Sequence, residues 1–271
     1  MSYGFSFSEM KKTFKPAPKK TKWGHILEIS KRKEYGLEQF LIKKNKIQPM
    51  HYHLKKEGTL FLEQGNIILR TKNSKGKENA VEMLSGNTFQ IPPKTSYSIA
   101  GLTESIAYFF SNGFQTKDLH YTETTAKAKK LFKKTVNLAK KNKTKPKNTS
   151  DFRKKYWGSI ETITDKDYCG KKIVMKKNTQ NSLEVHCKKH ETYYVHSGKV
   201  KIGLRIDRAE NKSVLLKKGE VFNIPPGLIH MKIAPQKCVI MEISTKDNDS
   251  DSHLVEDGMK YIHKEKQKVK K

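Results

Sequence analysis

The distance from Lys43 to Lys176 constrains this chain more than any single motif does, because the same offset superposes several stretches of the sequence. It lays KKNKIQPMHYHLKKEGTLFLEQGN, from Lys43, on KKNTQNSLEVHCKKHETYYVHSGK, from Lys176, pairing His53 with His186 and Gly65 with Gly198. It carries SGNTFQIPP, from Ser85, onto KGEVFNIPP, from Lys218, and nearly carries KWG at Lys22 onto YWG at Tyr156. Chance does not hold one offset over so long a span. The chain reads as a tandem duplication of a unit of about 110 residues.

Within each unit the local signals are β. KVKIGLRI, VFNIPPG and KCVIMEI are short runs rich in β-branched residues, bounded by Gly, Pro, Asn or Lys-Asp turns, at the spacing of a sandwich or barrel. Between the units the period changes. Leu131, Phe132, Val136, Leu138 and Ala139 form a narrow apolar stripe after two threonines, which predicts a helix over 124–142 packed on that stripe with a solvated lysine-rich back. The expected organisation is a basic flexible tail (1–22), a first barrel (23–121), a Lys-rich helix and linker (122–150), a second barrel (151–260) and a Lys-rich tail (261–271).

Composition limits the partners. At 31.3 kDa the chain can bury two cores, yet only 35% of it is hydrophobic and 31% is charged, so part of it should be solvated. The formal charge of +29 suggests a polyanion, but arginine is confined to Arg32, Arg70, Arg153, Arg205 and Arg208. Base readout and bidentate phosphate recognition favour arginine over lysine, so nucleic-acid binding is expected to be non-specific if it occurs. Three cysteines, Cys169, Cys187 and Cys238, at unrelated spacings do not read as a disulfide framework. No apolar run approaches a membrane span, the N-terminus lacks the apolar core of a secretion signal, and a cytoplasmic location is expected.

The stretch SLEVHCKKHETYYVHSGKV, from Ser182, concentrates metal-ligand side chains among β-formers. Alternation along a strand puts Glu184 and His186 on one side, and after a short connection Glu191 and Tyr193 share it, while Cys187 points away. In GEVFNIPPGLIH the prolines and Gly227 form a tight turn that aims His230 inward. Glu184, His186, Glu191 and His230 are therefore a four-ligand set for one divalent ion. Imidazole and carboxylate ligands suit Zn or Fe(II) first, with Mn, Co and Ni also compatible.

The spacing of His186, Glu191 and Gly198, followed by Gly219, Pro225, Gly227 and His230, resembles the two motifs of the cupin superfamily, small antiparallel barrels that hold one divalent metal. The first motif usually opens with His-x-His, and here the first position is Glu184. SLEVHCKKHE, YWGSIETI, IPPGLIH and MEISTKDNDSDSHLVEDG are similar to segments of cupin-type mannose-6-phosphate isomerases. The resemblance implies an all-β fold of two tandem cupin (double-stranded β-helix, jelly-roll) barrels with a connecting α-helix. It further implies a metal-dependent enzyme acting on a phosphorylated sugar by aldose–ketose isomerisation, the alternatives being a metal-dependent dioxygenase on a small organic acid or a non-enzymatic sugar- or metal-binding module. Isomerisation needs a group that moves a proton between adjacent carbons, for which Glu242 and Lys232 are the candidates, the latter on His230's side of its strand. Lys189 matches a basic position that would bind phosphate, and Tyr193 an aromatic position that would stack on a sugar. In the first barrel His51 and His53 occupy the opening positions, Gly58 and Tyr97 replace two ligands, and a weak second site could use His51, His53 and Glu57. That barrel is expected to be a structural partner with dimer-like packing, and a homodimer of the whole chain remains open.

Overall fold

A computed structural model describes residues 12–113, 117–142, 145–149, 151–205 and 211–257. Contacts divide the chain into two compact units, one spanning Ala17–Ser150 and the other joining Asp151 onward with the segment that ends at Pro16. Each unit is two antiparallel sheets face to face, and the duplication is visible strand for strand.

In the first unit a seven-stranded sheet runs in the order Lys19–Lys20, Gly24–Lys31, Tyr35–Ile42, Ser105–Asn112, Gly58–Gln64, Asn87–Ile91, Lys147–Asn148. Against it lies a five-stranded sheet in the order Leu119–Tyr121, His51–His53, Ser96–Gly101, Asn66–Lys72, Glu78–Leu84. Inward residues of both sheets, among them Trp23, Phe40, Leu60, Leu69, Ile99 and Phe109, make one core. In the second unit one sheet runs Asp151–Lys155, Gly158–Asp165, Tyr168–Met175, Cys238–Thr245, Glu191–Ser197, Val221–Ile224. The other runs Lys212–Lys217, Lys199–Arg205, Ile229–Ala234, Leu183–His186, Ser252–Glu256, with Thr179–Gln180 also paired to Ile229–Ala234. Ile173, Tyr193, Ile202, Phe222 and Ile240 sit in its core. The repeat explains both glycines it aligns. Gly65 and Gly198 each link two strands in a single residue at φ +97° and +77°, and a Cβ on Gly198 would fall 2.3 Å from the Lys237 carbonyl oxygen.

The helix α1, Thr125–Lys141, agrees with the expected 124–142. Thr124 caps it by accepting from the Lys127 amide, and Lys140 and Lys141 complement its C-terminal dipole. Ala128, Phe132, Val136, Leu138 and Ala139 pack on Ile47, Ile68, Ala80 and Ala100 of the first unit, leaving the lysines to solvent.

The expected N-terminal tail is not free over its described part. Lys19–Lys20 pairs with Ile26 and His25, and Phe14 exchanges two backbone hydrogen bonds with Val221. Strand edges with unpaired N–H and C=O groups recruit such segments. Residues 1–11 and the 261–271 tail lie outside the described residues. No described helix is long and apolar enough to cross a membrane.

Candidate metal centre

Several strands of the second unit aim polar side chains into one cavity. Glu184 and His186 share a face of Leu183–His186, and Glu184 lies directly opposite His230 on Ile229–Ala234. Glu191 begins its strand, and Tyr193, two residues on, lies opposite Glu242, which in turn lies opposite Lys171. The Gly227 amide donates to the His186 carbonyl at 2.7 Å, so the Pro-Pro-Gly turn ties the two halves of the site together.

Glu184, His186 and His230 each bring a ligand atom within 4.8 Å of the others. Glu191 stands against both imidazoles, with Oε1 3.7 Å from His186 Nε2 and Oε2 3.1 Å from His230 Nε2. The ring orientations decide what belongs between them. His186 Nδ1 lies 3.0 Å from the Asp251 carbonyl oxygen and His230 Nδ1 2.9 Å from that of Leu228. A carbonyl can only accept, so each Nδ1 donates to it and each ring turns Nε2 toward the cavity as the atom that would ligate. His230 is completely buried, and its Nε2 has no hydrogen-bond donor. Two imidazole nitrogens and two carboxyl groups thus converge on one point of the cavity. A divalent cation satisfies that set, and backbone carbonyls holding the far nitrogens are the usual outer support of a metal site.

Glu191 is itself held from behind. Lys189 Nζ lies 2.7 Å from Oε1, and the Tyr193 hydroxyl donates to Oε2 at 2.5 Å. Burial by itself would raise the Glu191 carboxyl, but Lys189, His230 and Lys232 together outweigh it and hold the group well below the usual carboxylate range. Lys189 also meets Asp247 at 2.8 Å and Glu242 at 3.4 Å. Burial likewise pushes Asp247 upward, yet Lys189 and Lys171 bring it down to about 2. These contacts correct two expectations. Lys189 is engaged by three protein carboxylates and is no phosphate ligand, and the ring of Tyr193 is fully buried, so it cannot stack on a sugar.

The cavity in front of the site has a volume of about 410 Å³. Its wall includes Arg153, Lys171, Asn181, Glu184, Lys232 and Glu242. Lys232 Nζ lies 3.8 Å from Glu184, 3.9 Å from Glu242 and 4.5 Å from the centre of the Tyr193 ring. Sequence reasoning missed Lys171, Asn181, Asp247 and Asp251. Asp251 had a signal. Its carboxylate accepts from the amides of Cys187, Lys188 and Lys189, and Asp118, one repeat earlier, accepts from Leu54, Lys55 and Lys56.

A family model described as Cupin matches residues 169–263, and solved structures resemble the fold across both units. The fold is a bicupin. Bacillus subtilis oxalate decarboxylase at pH 4.6 is 16% identical, with a TM-score of 0.67, covering 91% of this chain and 78% of that one. A mutant of the same enzyme gives 15% identity and a TM-score of 0.71 over 94% and 81%. A third structure, from a study of that enzyme's Mn(II) centres, gives 16% and 0.68 over 94% and 81%. Likeness at these identities speaks to fold alone. No curated protein matches the sequence. The mannose-6-phosphate isomerase resemblance draws no support from these neighbours.

The first unit of the bicupin is built differently at the same positions. His53 Nδ1 again meets a backbone carbonyl, that of Asp118, at 2.9 Å, but Tyr97 fills the place of His230, its ring 4.2 Å from that of His51. Phe109 replaces Glu242, Gly58 replaces Glu191, and Lys56 pairs with Glu38 beneath them. Burial lowers His51 and His53 to about 4. Among the described residues His51, His53 and Glu57 do not form a group with ligand atoms within 4.8 Å. Glu57 precedes the strand Gly58–Gln64 by one residue, and a one-residue slip turns a side chain to the opposite face.

Proposed function

We propose that the C-terminal unit is a metal-dependent enzyme acting on a small carboxylate-bearing substrate. One divalent ion would be held by Glu184, His186, His230 and Glu191. The observation that carries the substrate class is Lys232. Lys232 is 4% exposed and lines the cavity beside the proposed ligands, yet the nearest carboxylate oxygens to its Nζ stand at 3.8 and 3.9 Å, beyond hydrogen-bond distance. A buried cation whose counter-ions stand beyond hydrogen-bond distance is stabilised by an incoming anion. The oxalate decarboxylases of similar fold act on such a molecule by name, and one of them has Mn(II) centres. Two carboxylates beside two imidazoles make Mn(II) and Fe(II) better fits than Zn(II).

When bound, the ion supplies Lewis-acid polarisation of a substrate oxygen. The chain's own groups do the rest. Lys232 binds a second substrate oxygen and fixes its orientation. Glu242 lies within 3.9 Å of Lys171, Lys189 and Lys232, and it can take or return a proton at the cavity wall. Lys189 and Tyr193 fix Glu191 as a ligand. Trp157 and Ile160 on the wall limit water.

The experiment is metal analysis of the purified chain, followed by small mono- and dicarboxylic acids and phosphorylated sugars assayed with and without chelator, with oxygen and carbon dioxide monitored. Chelator-sensitive turnover of an acid supports the proposal, and oxygen uptake would assign it to the dioxygenase class. Turnover of sugar phosphates alone would overturn the carboxylate assignment in favour of isomerisation. A metal-loaded chain inert to every substrate would favour a binding module.

A further inference from the structure

The strand that points Glu184 and His186 into the cavity points the next residue, Cys187, to the outer face. There the Cys187 sulfur, an Asp251 carboxylate oxygen and a His253 ring nitrogen all lie within 4.8 Å of one another. The pairing explains the convergence. Val185 lies opposite His253 and His186 opposite Ser252, so antiparallel register brings Cys187 across from Asp251, with His253 on the same side of the sheet. Cys187 and His253 are exposed, and Asp251 is 8% exposed.

The first unit provides an internal comparison. One repeat earlier stand Leu54, Asp118 and His120. Both aspartates cap the same loop amides, so the aspartate is explained by the fold in either unit. Cysteine in place of Leu54's position is what the loop does not require. The histidines differ as well: His120 stacks on Tyr52 with ring centres 5.1 Å apart, while His253 is exposed beside the thiol.

We infer that Cys187, His253 and Asp251 form a second, outer cation site, selective for a borderline-soft divalent ion of the zinc class. Thiolate and imidazole select Zn(II) or Co(II), whereas the oxygen-rich inner site favours harder ions. Three protein ligands leave a coordination position to solvent. The outer site is also mechanically joined to the inner one. The Asp251 carbonyl orients His186, and its carboxylate holds the amides of residues 187 to 189, the last of which fixes Glu191.

Cobalt(II) titration of the full-length chain under reducing, anaerobic conditions tests this, because only a sulfur ligand produces the near-ultraviolet thiolate-to-cobalt charge-transfer band. The inner site contains no cysteine. Burial raises the other two thiols, Cys169 to about 12 and Cys238 to about 11, which keeps them protonated and uncompetitive. The wild-type chain should develop the band to a one-to-one end point, and zinc should bleach it. Cys187→Ser, and Cys187→Leu as in the first unit, should abolish it while cobalt absorption from the inner site persists. His253→Gln should weaken cobalt binding at the band at least tenfold. His230→Ala should leave the band intact, so failure of the inner-site proposal would not be mistaken for failure of this one. Absence of the band in the wild type, an unchanged titration in His253→Gln, or loss of the band in His230→Ala would each overturn the outer site.

Discussion

The ring of Phe109 occupies the space that a side chain on residue 58 would need: a Cβ on Gly58 would lie 2.4 Å from Phe109 Cζ. The equivalent pair in the second unit is Glu242 and Glu191, so the two barrels fill one volume in mutually exclusive ways, aromatic packing in one and buried carboxylates in the other. Gly58→Glu therefore will not install a metal site. It should overpack the core and cost about 1–3 kcal/mol. Thermal unfolding and metal content of the variant check this, and a gain of one metal equivalent with unchanged stability would contradict it.

The same contrast predicts opposite outcomes at His230 and Tyr97, which hold one repeat position. His230→Ala or His186→Ala removes a ligand from an incomplete shell and should weaken metal binding by orders of magnitude. Tyr97→Ala should release no metal and instead cost about 3–5 kcal/mol, the scale for deleting a large buried ring. Equal metal loss from Tyr97→Ala and His230→Ala would remove the site from the second barrel.

What the sequence made legible follows from what repeats and strand alternation can encode. The offset between Lys43 and Lys176 and the two-residue period located the barrels and placed Glu184, His186, Glu191 and His230 on converging faces. Alternation names the face of a side chain, not the atom it reaches. Lys189 and Tyr193 turn to Glu191, because a buried carboxylate draws every donor within reach. Asp247 left no trace in the pattern, since it meets Lys171 and Lys189 from an irregular segment with no period to read.

Acid should weaken the first unit before carboxylate titration begins. Burial lowers His51 and His53 to about 4 in the folded chain, against about 6.5 when unfolded. Between those values the unfolded state binds more protons, so the stability these residues contribute is complete above about pH 6.5 and is lost as pH falls toward 4. The loss amounts to about 3 kcal/mol per histidine at most. Urea unfolding at pH 7 and pH 4.5 should show the difference, and His51→Gln should reduce it. An unaltered pH dependence in that variant would assign the acid sensitivity elsewhere.

The backbone pairing of Phe14 with Val221 gives the N-terminal arm a role in the C-terminal unit. The Val221 amide donates to the Phe14 carbonyl at 2.8 Å, and the Phe14 amide donates back at 3.3 Å. Val221–Ile224 is the last strand of its sheet, so these bonds cover the start of an otherwise open edge. Open edges template association between copies. A chain beginning at Ala17 should therefore bind metal as the full chain does, because no ligand is lost, but should aggregate faster on mild heating. Light scattering against temperature measures this, with metal content determined in parallel. Phe14→Pro, which removes one of the two donors while leaving the arm attached, should fall between them. If all three proteins scatter alike, the edge needs no cover and the arm's pairing with Val221 contributes nothing to solubility.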